Sequence, residues 1–272
     1  MRQRVLSALV LFAIVFLAVW YDGPFFSVVL AVCAIWGTLE YFGMAGMSPR
    51  HPMTIFGLVW IILFVAVAHF SYNYDRYAMF LFTSAVGLSL ICLLFSRDIR
   101  KAATSWAWTV AGIIYIGWML SHFILLRQPS VSGGADIGRD WVLFVLFANI
   151  AVDTTAFFVG RKWGRHHLAT RISAKKTWEG STAGFAAAIA AAIALKAILP
   201  NIDITYWHAV ILGGLVGVFA QLGDLAESML KRSAGVKDAG DMIPGHGGLL
   251  DRMDSIIFSG VVVYYYVTYL LT

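Results

Sequence analysis

Charge is what this chain of 272 residues has least of: Asp, Glu, Lys and Arg together make up 13% of it, against about 25% in a soluble domain. With 60% hydrophobic residues and a mean hydropathy of +0.78, that scarcity excludes a water-soluble globular protein, a disordered chain and a simple coiled coil. Cysteine is scarce too. Cys33 and Cys92 both lie inside apolar blocks and no Cys-x-x-Cys occurs, so neither a disulfide framework nor a thiolate metal site is supported. There is no low-complexity tract, and no internal repeat of the kind transporters usually show. What is present is apolar residues in blocks near helix-spanning length, not alternating strands of about ten residues. A helical membrane bundle is therefore expected over an outer-membrane barrel.

Lipid offers the backbone no water to bond, so each crossing must be a closed helix of about 20 residues. Nine blocks meet this demand approximately: residues 5–20, 25–42, 53–70, 77–95, 106–126, 141–160, 181–199, 207–222 and 255–271. Trp20, Tyr21, Trp106, Trp141, Trp207 and Tyr269 stand near their ends, as an interfacial belt does. The opening MRQR and its apolar run resemble a signal peptide, but no small-x-small cleavage site follows, so an uncleaved first span is expected. A cytoplasmic amino terminus leaves only Arg76, Arg127, Arg139 and Lys196 of the 20 Lys and Arg on the outer side. The positive-inside rule favours that orientation and puts the carboxyl terminus outside. The expected fold is thus all-α, with five spans in residues 1–140 and four spans with two cytoplasmic loops (161–180 and 223–254) in residues 141–272. Short loops and the lack of a targeting segment suit a bacterial inner membrane.

Those two inner loops hold half of the basic residues, and the second also holds Asp224, Glu227, Asp238, Asp241, Asp251 and Asp254. Topology accounts for basic inner loops but not for carboxylates mixed among them. Asn149 and Asp153 are four apart and share a helical face; Asp224 and Glu227, like Asp251 and Asp254, are three apart. Three helix ends therefore carry carboxylates to a similar depth near the inner headgroup layer, where ionisable groups are costly and face a polar cavity or partner. Dense carboxylates without His or Cys clustering suit a hard cation such as Mg²⁺, which takes one or two carboxylates plus substrate phosphates. Nearby Lys and Arg suit phosphate oxygens, and the glycines of PGHGG, residues 244–248, would let backbone N–H groups approach a phosphate. The combination points to phosphoryl or nucleotidyl transfer, with one lipid and one cytosolic substrate. The net charge of +5 suits anionic headgroups, or topology alone; nothing calls for nucleic acid.

The stretch SMLKRSAGVKDAGDMIPGHGGLLDRMD, residues 228–254, resembles the signature of the phosphatidate cytidylyltransferases, or CDP-diacylglycerol synthases. Its matching positions are Ser228, Lys231, Arg232, Lys237, Asp238, His246, Gly247, Gly248, Asp251, Arg252 and Asp254. NIAVDTTAFFVGRKWG (149–164), ISAKKTWEGS (172–181) and QLGDLAES (221–228) are similar to further family segments. One departure is Ala174, where the family has proline, which bears on the loop's stiffness more than on its chemistry. The resemblance covers the chain from Asn149 onward.

The resemblance implies a reaction of CTP with phosphatidate that gives CDP-diacylglycerol and pyrophosphate at a Mg²⁺ centre with a second cation, monovalent in one reading. It implies Asp224 and Asp251 as metal ligands, with helix-end ion pairs as the alternative, and Asp254 assisting one turn on. Lys175 and Lys176 would meet CTP phosphates, or serve only topology and lipid contact. Thr177 and Glu179 belong to the same loop, or cap the following helix with Ser181. Lys231, Arg232, Lys237 and Arg252 would grip phosphatidate or pyrophosphate, although Glu227 and Lys231 also have the spacing of a plain helix pair. Asp238, His246, Gly247 and Gly248 complete the substrate-binding set. Asn149 and Asp153 would line the cavity, or hydrogen-bond between helices, and Glu40 near an inner helix end is a further candidate. His166 and His167 lack ligand spacing. A polyprenol kinase and an ion-coupled transporter remain as alternatives; the Asp-Gly-x-x-Ala-Arg motif of CDP-alcohol phosphotransferases is absent. A homodimer is left open.

Overall fold

The computed structural model describes residues 13–21, 23–95, 98–128, 135–241 and 247–271. Its main elements are α1 (Gly23–Met44), α2 (Pro52–Phe70), α3 (Tyr74–Leu93), α4 (Ile99–Arg127), α5 (Ala135–Trp163), β1 (His167–Ala169), β2 (Ser173–Thr177), α6 (Trp178–Ile198), α7 (Tyr206–Ser233) and α8 (Asp254–Leu270). Residues 13–20 are helical as well. Helices α1 to α7 are each long and apolar enough to cross a membrane, whereas α8 is apolar but has 17 residues. Tyr77, Met79, Phe80, Leu90 and Ile91 of α3 are exposed, which is affordable in lipid and not in water. The chain is therefore a helical, multi-pass membrane protein. Among the described residues it has seven such helices against the nine expected: block 5–20 lies largely outside them, and block 255–271 is the shorter α8.

Two compact units make up the chain, residues 1–125 with 238–251 and residues 126–237 with 252–272. In the first, α1, α2 and α4 pack on one another through glycines. A Cβ at Gly57 would stand 2.6 Å from the Phe42 ring, and one at Gly112 2.9 Å from Tyr41. Halfway along α4, residues Ile113–Trp118 form a π turn. Its i→i+5 bonding brings residues five apart toward one face, so Gly112 and Gly117 both meet neighbours closely; Gly117 lies against Ile61.

In the second unit α5 packs on α6, α6 on α7, and α8 on both α7 and α5. The buried face of α6 reads Gly180, Gly184, Ala188, Ala192, Leu195, a small residue every fourth position that lets backbones meet closely without a hydrophobic drive between helices. A Cβ at Gly213 of α7 would lie 2.6 Å from the Ile189 Cα.

Structure and expectation differ in both stretches expected as cytoplasmic loops. Residues 167–177 form an antiparallel hairpin, closed by the Trp178 N–H, which donates to the His166 carbonyl at 2.9 Å. Helix α7 runs on to Ser233, so residues 223–233, expected in a loop, are helical. Leu, Ala, Glu, Met, Lys and Arg there are good helix formers, and Glu227 pairs with Lys231 one turn on. The helix stops where Gly235 takes φ +74: its N–H and that of Val236 donate to Arg232 and Lys231 carbonyls at 3.1 and 3.0 Å, a glycine-closed C-terminus.

Candidate active site

The hairpin ends on the N-cap of α6. Thr177 accepts from the Gly180 N–H at 3.2 Å, so its hydroxyl does cap the helix. Gly160 and Gly164 at the end of α5 make room for it; a Cβ on Gly164 would come 2.6 Å from the Thr177 methyl. Glu179, in the first turn, accepts from the His166 backbone N–H at 3.2 Å and contacts its ring Nδ1 at 2.7 Å. Ser181 bonds Gln221 of α7, tying the α6 start to the stretch before Asp224. Side chains alternate along a strand, so Lys175 and Lys176 part company: Lys175 is exposed and Lys176 half-buried.

Lys176 reaches Asp224, its Nζ 2.7 Å from Oδ2, while the Ser228 hydroxyl donates to Oδ1 at 3.3 Å. One turn on, Glu227 and Lys231 form an ion pair, both side chains buried. Asp254 opens α8 with its Oδ1 accepting from the Ser255 N–H at 2.6 Å, and it is in electrostatic range of Asp224, Glu227 and Asp153. Asp153 of α5 interacts in turn with Asp224, Lys176, Ser255 and Arg252. Gly223 permits the approach of α7 to α8, because a Cβ there would sit 2.5 Å from the Asp254 carbonyl oxygen. One unit thus gathers four carboxylates and two lysines from α5, β2, α7 and α8, with Arg252 just ahead of α8. Asn149, one turn before Asp153, donates to the Ser259 hydroxyl of α8 at 2.7 Å, the interhelical bond; its own Oδ1 is buried without a hydrogen-bond partner among the described residues. Arg232 holds the hairpin turn, donating to the Ile172 carbonyl at 3.3 Å and to Val236 at 3.0 Å. Lys237 is exposed beyond the helix end.

Asp238, Gly247, Gly248 and Asp251 belong to the other unit, together with Glu40. There Asp251 Oδ2 accepts from the Ala239 and Gly248 N–H groups at 3.0 and 2.8 Å. Gly247 has φ +80, which favours glycine. Asp238 is exposed, and His246 lies outside the described residues. Sequence reasoning left Gly160, Gly164, Gly223 and Ser255 without a role, although the first three stand inside the motif segments.

Among the described residues no three His, Cys, Asp or Glu side chains stand so as to hold a metal by themselves. A hard divalent ion does not require three, since it keeps waters and takes one or two carboxylates plus phosphate oxygens. Asp224, which already draws a cation in the Lys176 ammonium, has the donor chemistry for such an ion, so the residues fit.

Acids and bases gathered at the ends of membrane-spanning helices have the charge to meet a polyanionic ligand. The Cytidylyltransferase family model matches residues 2–270, and the chain belongs to that family. It is 36% identical to Phosphatidate cytidylyltransferase 4, chloroplastic, of Arabidopsis thaliana, over 90% of this chain and 68% of that protein. It is 33% identical to the phosphatidate cytidylyltransferase of Synechocystis sp., over 99% of this chain and 97% of that one. With that of Bacillus subtilis it shares 30% identity over 97% of each.

Proposed function

We propose that this membrane enzyme transfers the cytidylyl group of CTP to phosphatidate, producing CDP-diacylglycerol and pyrophosphate. The observation that carries the reading is the family match along nearly the whole chain, joined by relatives of that activity. A phosphatidate oxygen bonds to the α-phosphorus of CTP, the bond from that phosphorus to the bridging oxygen breaks, and pyrophosphate leaves with the electron pair. The attacking phosphomonoester is already largely dianionic near neutral pH (second pKa about 6), so no general base has to be assigned. The protein's task is to hold two polyanions together and to stabilise charge on the leaving group.

Lys176 and Arg252, which face Asp224 and Asp153, are assigned to CTP and pyrophosphate oxygens. Lys231, paired with the buried Glu227, is assigned to phosphatidate or pyrophosphate oxygens. A divalent cation, Mg²⁺ in this reading, would supply Lewis-acid charge to the phosphates when bound, and the family likeness implies a second cation, monovalent in one reading. Asp224, and by its place in the signature Asp251, are the carboxylates that would hold the divalent ion; Asp153 and Asp254 stand in electrostatic range of Asp224. Thr177, Glu179 and Arg232 fix the hairpin that carries Lys176. Nine spans, a cytoplasmic amino terminus and an inner-membrane location complete the proposal, supported by the inward bias of Lys and Arg.

The test is radiolabelled CTP supplied to the purified protein in detergent, with Mg²⁺ and with or without phosphatidate. Label should enter the lipid fraction only when phosphatidate is present, and Asp224→Asn should slow this by at least ~10²-fold, the scale of losing one charge-stabilising element. Wild-type turnover in that variant rejects the metal role, and no labelled lipid from the wild type rejects the activity.

A further inference from the structure

Glu40 is a carboxylate buried in an apolar helix, and the reaction as derived does not use it. It is 9% exposed, and its two oxygens are committed: Oε1 accepts from the Leu249 N–H at 3.0 Å and Oε2 from the Leu250 N–H at 2.9 Å. These are the amides just before Asp251. Two glycines of the same segment are shaped to the carboxylate. A Cβ on Gly240 would stand 2.6 Å from Oε1, and one on Gly248 2.6 Å from Oε2 and 2.8 Å from the Gly240 nitrogen. Asp251 closes the arrangement from within, accepting from Ala239 and Gly248. A charged acceptor taking two backbone N–H groups is among the stronger hydrogen-bonding arrangements, and an ionisable group at membrane depth is retained where it has such partners.

We infer that Glu40 is a positioning residue: it clasps the backbone at Leu249 and Leu250 and so fixes the direction in which the turn that follows presents Asp251. The functional part of this inference rests on the proposed role of Asp251; the clasp itself does not. A neutral amide cannot replace the carboxylate. Gln at position 40 keeps one acceptor and sets an NH₂ group against the second N–H. The tight fit also predicts a coupling. Gly240→Ala is harmful while Glu40 is present, because the methyl meets the carboxylate, and adds little once Glu40 is Ala.

Hydrogen exchange of the purified full-length protein, read by mass spectrometry on peptides covering residues 247–252, tests the clasp without any substrate. Glu40→Gln should raise exchange at Leu249 and Leu250 about tenfold or more, as loss of a buried hydrogen bond to a charged group does. Exchange in the span of α7 should stay unchanged, which separates loosening of the clasp from general unfolding. In the CTP assay the same variant should raise the Mg²⁺ concentration for half-maximal rate about tenfold, with Glu40→Asp recovering part of it. Wild-type exchange at both amides overturns the clasp. Raised exchange with unchanged Mg²⁺ dependence overturns the link to Asp251. Inactivity of the wild type overturns the proposed reaction while leaving the exchange result to judge the clasp.

Discussion

Gly223 is a position at which one added methyl group should be costly. Its absent Cβ would lie 2.5 Å from the Asp254 carbonyl oxygen and 3.0 Å from the Phe258 ring. The first of these partners is backbone and cannot swing aside. Ordinary van der Waals contact needs about 3.5 Å, so Gly223→Ala has to move α7 and α8 apart by roughly 1 Å, at the level where Asp224 and Asp254 begin their interaction. Overpacking of this kind costs about 1–3 kcal/mol of stability, and a misplacement of about 1 Å can cost 10²-fold in rate. Gly214 on the same helix is the control, because a Cβ there meets only the Phe185 ring, at 3.7 Å. Turnover of radiolabelled CTP and thermal unfolding in detergent should both fall for Gly223→Ala and hold for Gly214→Ala. Equal turnover in the two variants would refute the claim that close approach of α7 and α8 sets the geometry of the site.

The two neighbouring lysines of the hairpin should separate in the same assay: Lys176→Ala should raise the apparent KM for CTP about tenfold or more, whereas Lys175→Ala changes it little; equal effects would contradict their placement on opposite strand faces. Gly213→Leu should prevent α6 and α7 from packing, since even a Cβ lies 2.6 Å from the Ile189 Cα; a monodisperse detergent peak with wild-type thermal stability would count against that contact. A reporter fused to the carboxyl terminus should read extracytoplasmic, and a cytoplasmic signal would break the proposed count of nine spans.

The spans were legible because an uninterrupted apolar run admits one solution in lipid, and α1, α2 and α6 follow their blocks within a few residues. The hairpin was not. Its strands are short, HLA and SAKKT, too brief to show an alternating pattern, and the charges around them read as loop. The continuation of α7 to Ser233 was hidden because Asp224, Glu227, Lys231 and Arg232 break the apolar run while leaving helix propensity intact. At the site, spacing alone placed Asp224 with Glu227, and the family likeness singled out the acids and lysines. Neither could reveal which lysine faces inward, nor that Gly223 and Gly164 matter for the side chain they lack. Glu40 stood out as a charge in an apolar helix, but its partners are distant in the chain and no local pattern connects them.

That distance has a consequence for how the protein is made. The amides that engage Glu40 come 209 and 210 residues after it, so during synthesis the first helices enter the bilayer long before those donors leave the ribosome. A nascent chain arrested ahead of Asp238 would carry in its first unit a carboxylate without these two donors, which is costly at membrane depth. The first unit is thus complete only when the far end of the polypeptide has been made.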